Sequence, residues 1–262
     1  MAFIQREIEL NGSRLCYREA GSGPVLLFLH GAGGAESALP FLLPFTADHR
    51  VLVPDHPGFG RSADPAWLDD IHDVAYAYLD FLDALDLRGV HLLGTSLGGW
   101  VAMEIAIRCS ARLASLTVVA APGIPPGDIP TGDLFGWGPE ERVRQLVASP
   151  AFAARILALP QTAEQAQAAR RNDATTARLS GQPRFVDRGL GKWLHRIRVP
   201  TLVAWGDTDR LFPPEYGRRL AWSIPGARFT LLRDCGHLPQ VEQPDVLADL
   251  VRQHVAGTGF VA

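Results

Sequence analysis

Lysine is almost missing from this chain. Of its 25 basic residues only Lys192 is a lysine, and the arginines are scattered. With 28 acidic residues the formal net charge is −3. A surface so balanced offers no basic footprint for nucleic acid and no attraction to an anionic membrane. Cysteine is scarce as well. Cys16, Cys109 and Cys235 are odd in number, far apart and form no CxxC pair. Such usage argues against a disulfide framework and fits reduced thiols in a cytoplasmic compartment, with Cys109 and Cys235 as small apolar fillers. No stretch approaches the roughly 18 apolar residues of a membrane span. The opening MAFIQREIEL carries Arg6, Glu7 and Glu9 where a signal peptide needs an apolar core. No metal-ligand spacing or phosphate loop is seen, so neither metal nor cofactor is expected. These absences leave a soluble, cytoplasmic protein acting on a small molecule, with monomer and homodimer both open.

What is present suits one large α/β domain. Residues on both sides of Asn11-Gly12 alternate apolar and polar, the pattern of a hairpin. PVLLFLHG, RVLVPDHPG, VHLLGTS, LASLTVVAAP and PTLVAWGD are apolar on consecutive positions, as in strands buried on both faces. Helical patterns lie between them, such as VAYAYLDFLDALDL with Val74, Tyr78, Phe81, Leu82 and Leu85 on one face. This alternation predicts a mainly parallel sheet covered by helices, with ligands beyond the strands' carboxyl ends. The rhythm breaks over 122–198. A Pro- and Gly-rich stretch there precedes three helical patterns, EERVRQLVAS, FAARILAL and TAEQAQAARRNDATTARL, with FVDRGLGKWLHRIR as a further candidate. We expect a core of 1–121 and 199–262, interrupted by a helical cap at 122–198.

Gly94-Thr95-Ser96-Leu97-Gly98 follows a buried strand and opens a helix. That setting is the one in which a G-x-S-x-G turn exposes a strained serine as a nucleophile. Ser96 needs a base, and His237 has the best setting, on a loop after the strand pattern FTLL. Asp207 and Asp209, just past WG, offer the carboxylate that would orient the imidazole. The order serine, aspartate, histidine is that of one triad class among several. An oxyanion would need two N–H donors: Leu97 for one, Ala32 or Gly33 in LHGAGG for the other. A dinucleotide fingerprint in the same stretch fails, since Glu36 stands where G-x-G-x-x-G needs its third glycine.

LHGAGG, VPDHPGFGRS, GTSLGGWVA, WGDTDRLFPP and GHLPQVEQP together resemble the signature segments of the α/β-hydrolase fold family, from about Pro24 to Val255. The resemblance implies a mostly parallel sheet of about eight strands with an inserted helical cap. It also implies Asp209 as the acid, through G-x-x-D-x-x-x-P at Gly206, Asp209 and Pro213. Asp207 then becomes a turn former, His237 the base, and Ala32 with Leu97 the oxyanion donors. Asp55 and His56 lie in a turn that is structural in most members. Ser96 separates the chain from dehalogenases and epoxide hydrolases of this fold, whose nucleophile is aspartate. Thr95, Leu97 and Leu238 stand where carbon–carbon-cleaving meta-cleavage-product hydrolases usually carry Asn, Met and Trp. Cleavage of an apolar or aromatic carboxylic ester is therefore expected, with carbon–carbon hydrolysis, acyl transfer or a slow-turnover receptor as alternatives. Trp100, Phe135, Trp137, Trp193 and Leu238 are the candidate substrate-binding residues.

Overall fold

The computed structural model describes residues 2–257. The chain opens with an antiparallel hairpin of β1 (Ile4–Leu10) and β2 (Ser13–Ala20). Leu10 faces Ser13, which leaves Asn11 and Gly12 as a two-residue turn with φ of 47° and 68°. Two positive φ values match the twist of the flanking strands, and Asn-Gly adopts them at little cost. Strands β3 (Val25–Leu29), β4 (Arg50–Pro54), β5 (Val90–Thr95), β6 (Leu113–Val119), β7 (Thr201–Gly206) and β8 (Arg228–Leu232) pair in parallel. The sheet order is β1-β2-β4-β3-β5-β6-β7-β8. Every residue of β5 and β7 is buried, the polar His91, Thr95 and Thr201 included, as in strands covered on both faces.

The helices are α1 (Leu39–Leu42), α2 (Ile71–Ala84), α3 (Leu97–Cys109), α4 (Pro139–Leu146), α5 (Pro150–Leu157), α6 (Ala163–Leu179), α7 (Leu190–Trp193), α8 (Pro214–Trp222), α9 (Pro239–Glu242) and α10 (Pro244–Ala256). α2 starts on a capping box in which Asp70 and Asp73 satisfy each other's backbone N–H groups, and it buries Val74, Tyr78, Phe81 and Leu82. Helices α4 to α7 all lie between β6 and β7. Thr162 and Gln165 form a second capping box at the start of α6. FVDRGLGKWLHRIR is helical only over α7 and a short 3-10 turn at Leu194–Arg196. Gly189 and Gly191 weaken a helix there, and Val186 is instead drawn into a bridge with Gly123. All three cysteines are free, Cys16 and Cys235 buried and Cys109 half-buried. No helix among the described residues is long and apolar enough to cross a membrane.

Candidate active site

β5 turns into α3 within a single residue, Ser96, whose φ is 51° and ψ −121°. A non-glycine residue held so costs on the order of 1–3 kcal/mol and persists only where its surroundings impose it. Here they do. The Ser96 N–H donates to the Val119 carbonyl of β6 at 2.8 Å, and its carbonyl accepts from Gly99 and Trp100 at 2.9 and 3.2 Å. The glycines of the motif have a packing cause. A Cβ on Gly94 would lie 2.3 Å from the Gly98 carbonyl oxygen, and one on Gly98 only 2.1 Å from that of Leu29. The turn is tight because β3, β5 and α3 meet there with no room for a methyl group.

The loops after β7 and β8 bring two side chains to Ser96. His237 Nε2 is 2.9 Å from Ser96 Oγ, and His237 Nδ1 is 2.8 Å from Asp209 Oδ2. A carboxylate only accepts, so Nδ1 carries the proton and Nε2 is left to accept from the serine hydroxyl. Asp209 Oδ1 accepts from the backbone N–H groups of Leu211 and Phe212 at 2.9 and 3.0 Å. Asp209 and His237 are each 3% exposed, whereas Ser96 is partly open to solvent. Asp207 does not face the imidazole: its carboxylate accepts from the Cys235 N–H at 3.3 Å. The His237 loop is held from two sides. The His237 N–H donates to the Leu146 carbonyl at 2.7 Å, while Glu242 accepts from Gly236 and Ala148 at 2.9 and 2.7 Å. Burial raises the Glu242 pKa.

Facing the elbow is a turn closed by the Gly34 N–H on the Gly31 carbonyl at 3.0 Å, with Ala32 and Gly33 at its corners. It lies against Ser96, for a Cβ on Gly31 would sit 3.1 Å from Ser96 Cβ. Among the described residues the Ala32 N–H has no partner. The Leu97 N–H belongs to the first turn of α3, where backbone donors lack an intrahelical acceptor. Beneath the turn two buried imidazoles interlock. The His56 N–H donates to His30 Nε2 at 3.0 Å, and His56 Nε2 donates to the His30 carbonyl at 2.8 Å. His30 Nδ1 in turn donates to the Gly31 carbonyl at 2.7 Å, and Tyr78 OH to His56 Nδ1 at 2.6 Å. Burial lowers the pKa of both histidines, so the pair is neutral and serves as scaffold. Neither His30 nor Glu242 was marked as a site residue by the sequence; the only signals were the dipeptide HG and the E of GHLPQVEQP.

The candidate binding residues separate in space. Phe135 stacks on Phe185 at 5.8 Å, Phe185 meets Phe212 edge-on at 5.8 Å, and Phe212 lies 5.7 Å from the His237 ring. This aromatic file runs from the inserted segment to the imidazole. Trp137 packs over Gly132, whose N–H donates to the Leu211 carbonyl beside Asp209. Leu238 follows His237 directly and precedes α9. Trp100 instead lines a groove of about 280 Å³ with His72, Leu179 and Asp187. Trp193 is 49% exposed and leans on His195, apart from the file. The structure also gathers His72, Glu104 and Asp187, which the sequence spacing did not show. The Arg108 guanidinium already occupies that cluster, bonded to Glu104 and 2.9 Å from His72 Nδ1.

Residues 26–250 match the alpha/beta hydrolase family. The chain belongs to that family. The 2-hydroxy-6-oxo-6-phenylhexa-2,4-dienoate hydrolase of Comamonas testosteroni is 29% identical to the hydrolase over 286 residues, 94% of each chain. Among solved structures, a meta-cleavage product hydrolase superposes with a TM-score of 0.83 at 22% identity, covering 96% of this hydrolase and 98% of that chain. An esterase from Thermogutta terrifontis superposes with a TM-score of 0.76 at 23% identity, covering 99% and 100%.

Proposed function

We propose that this hydrolase cleaves a carboxylic ester through an acyl-enzyme. The observation that carries this reading is the unbroken relay from Ser96 Oγ to His237 to Asp209, at 2.9 and 2.8 Å. Ser96 Oγ attacks the acyl carbon while its proton passes to His237 Nε2. Asp209 holds the imidazole in register and balances the imidazolium charge. The oxyanion is met by the Ala32 and Leu97 N–H groups, with Gly33 beside them, and each such donor is worth ~2.7–4 kcal/mol of transition-state stabilisation. His237 then protonates the departing alkoxide, and a water activated at Nε2 releases the acid. No cofactor enters these steps.

We further propose that 122–198 acts as a cap that shapes the acyl pocket. Phe135, Trp137 and Leu238, with the ring of Phe212, suit an apolar or aromatic acyl group. Trp100 and Trp193 would line more distant parts of that cap. The test is turnover of p-nitrophenyl esters from acetate to octanoate by wild type and Ser96→Ala. Turnover by wild type alone supports the reading, and equal rates from both proteins would end it.

A second reading has its own support, the 29% identity with the phenylhexadienoate hydrolase of C. testosteroni. Assay of 2-hydroxy-6-oxo-6-phenylhexa-2,4-dienoate beside p-nitrophenyl butyrate separates the two. A larger kcat/KM on the dienoate would move the assignment to carbon–carbon cleavage while keeping Ser96 as the acting group.

A further inference from the structure

The inserted segment touches the elbow's facing turn through one buried amide. Asn172 of α6 is 5% exposed. Its Nδ2 donates to the Gly33 carbonyl at 3.3 Å, and its Oδ1 accepts from the Gly60 N–H at 3.3 Å. The approach is tight. Gly34 has φ of +88°, and a Cβ there would lie 2.8 Å from Asn172 Nδ2. Neighbours on the same face of α6 dock only on the other loop. Arg171 donates to the Gly60 and Ser62 carbonyls at 2.8 and 2.6 Å, and Thr175 Oγ1 donates to the Gly58 carbonyl at 2.9 Å. Along this face Asn172 alone reaches across to the Gly31–Gly34 turn.

The turn has two sides. Its inner closure, Gly34 N–H to Gly31 carbonyl, leaves the Ala32 and Gly33 N–H groups at the corners. Its outer side is pinned where Asn172 grips the Gly33 carbonyl, one peptide along from the Gly33 N–H and two from the Ala32 N–H. A rotation of the Gly33–Gly34 peptide would release that grip and break the Gly34 N–H bond to the Gly31 carbonyl that closes the turn, so both corners would be free to shift. Arg171 and Thr175 fix α6 against the Gly58–Ser62 turn, which holds the amide in place above the loop.

We infer that Asn172 is a positioning residue for the oxyanion turn, through which the placement of the inserted segment sets the geometry of the Ala32 donor. This rests on the ester-cleaving reading for its effect on rate, but the link itself is structural and measurable without activity. Asn172→Asp is the informative change, because it keeps the acceptor for Gly60 and sets an acceptor against the Gly33 carbonyl. A displacement of about 1 Å or less at the donor implies roughly a tenfold loss of kcat on p-nitrophenyl butyrate, with KM little changed. Affinity for a trifluoromethyl ketone, which forms an oxyanion on serine, should fall by the same factor. Amide exchange over residues 29–35 should quicken. Arg112→Met removes bonds to the Leu82 and Leu87 carbonyls and touches neither α6 nor the turn, so it should lower thermal stability yet leave the ratio of ketone affinity to KM as in wild type. Unchanged exchange over 29–35 in Asn172→Asp overturns the link, whatever the activity does. Faster exchange with kcat and ketone affinity intact refutes the inferred control of the donor. If wild type neither turns over esters nor reacts with a fluorophosphonate, the ester reading falls, and exchange alone decides whether the pin exists.

Discussion

Asp209→Asn should disable the site without disturbing its shape. Oδ1 of residue 209 faces two backbone donors, Leu211 and Phe212 N–H, at 2.9 and 3.0 Å. Only the amide oxygen can satisfy them, so the new NH2 must point at His237 Nδ1. An amide NH2 donates, so Nδ1 must become an acceptor and the ring proton moves to Nε2. That proton then points at Ser96 Oγ, 2.9 Å away, and Nε2 can no longer accept from the serine hydroxyl. A triad with the wrong tautomer falls about 10⁴-fold in kcat, equivalent to about 5.4 kcal/mol of transition-state stabilisation. Folding should suffer far less, because both backbone bonds survive and only a charged acceptor is exchanged for a neutral one. A loss of about 1 kcal/mol lowers Tm by roughly 2–4 °C in a chain of this size. Initial rates on p-nitrophenyl butyrate and a circular-dichroism melt supply both numbers. Retention of more than a tenth of wild-type kcat with Tm intact would mean that residue 209 does not set the proton on His237.

Three other perturbations probe the frame around the relay. Gly98→Ala forces β3 and the elbow apart by about 1 Å, since its Cβ would meet the Leu29 oxygen at 2.1 Å, so a hundredfold fall in kcat is expected. Overpacking of this kind also costs about 1–3 kcal/mol, readable as a lower urea midpoint. Glu242→Leu strands the Gly236 and Ala148 N–H groups at about 1–3 kcal/mol each and frees the His237 loop, so Tm and kcat should fall together. His91 bonds Ser115 at 2.9 Å, and burial pushes its pKa down to about 4. A depressed histidine contributes stability that is whole above its unfolded pKa of 6.5 and is lost as pH falls toward 4. The loss is at most about 3 kcal/mol, and His30, His56 and His254 shift in the same direction. Melts from pH 7 to pH 4 should therefore fall less steeply in His91→Gln than in wild type.

Local rules carried the parts of the fold that depend on near neighbours. Asn11-Gly12 announced its hairpin because two positive φ values are needed and this pair supplies them. The buried runs of β3 to β7 were legible because a strand covered on both faces is mostly apolar, with a few buried polar residues such as His91 and Ser115 that bond each other. GTSLGG marked the elbow, since the steric demands that require Gly94 and Gly98 leave a sequence trace. Segments without a dominant period were harder. Residues 36–47, where Pro40 and Pro44 interrupt short helical turns, yielded no reading, and 185–198 yielded a helix longer than the one formed. The supporting residues were the least visible. Asn172 meets Gly33 across 139 positions and Glu242 meets Ala148 across 94, in both cases through backbone groups that every residue shares. Such a partner leaves no imprint on residue type at the far end. The tryptophans show the converse: Trp100 and Trp193 were chosen by type, and the structure sets them in or beside other contacts.

The most direct test is covalent. Wild type, Ser96→Ala and Asp209→Asn are treated with a fluorophosphonate, and the adduct is counted by intact mass and located by peptide mapping. One adduct per chain on Ser96 in wild type, none in Ser96→Ala, and much slower labelling in Asp209→Asn are expected. An unlabelled wild type, or an adduct on another residue, would contradict the assignment of Ser96 as the nucleophile activated by His237.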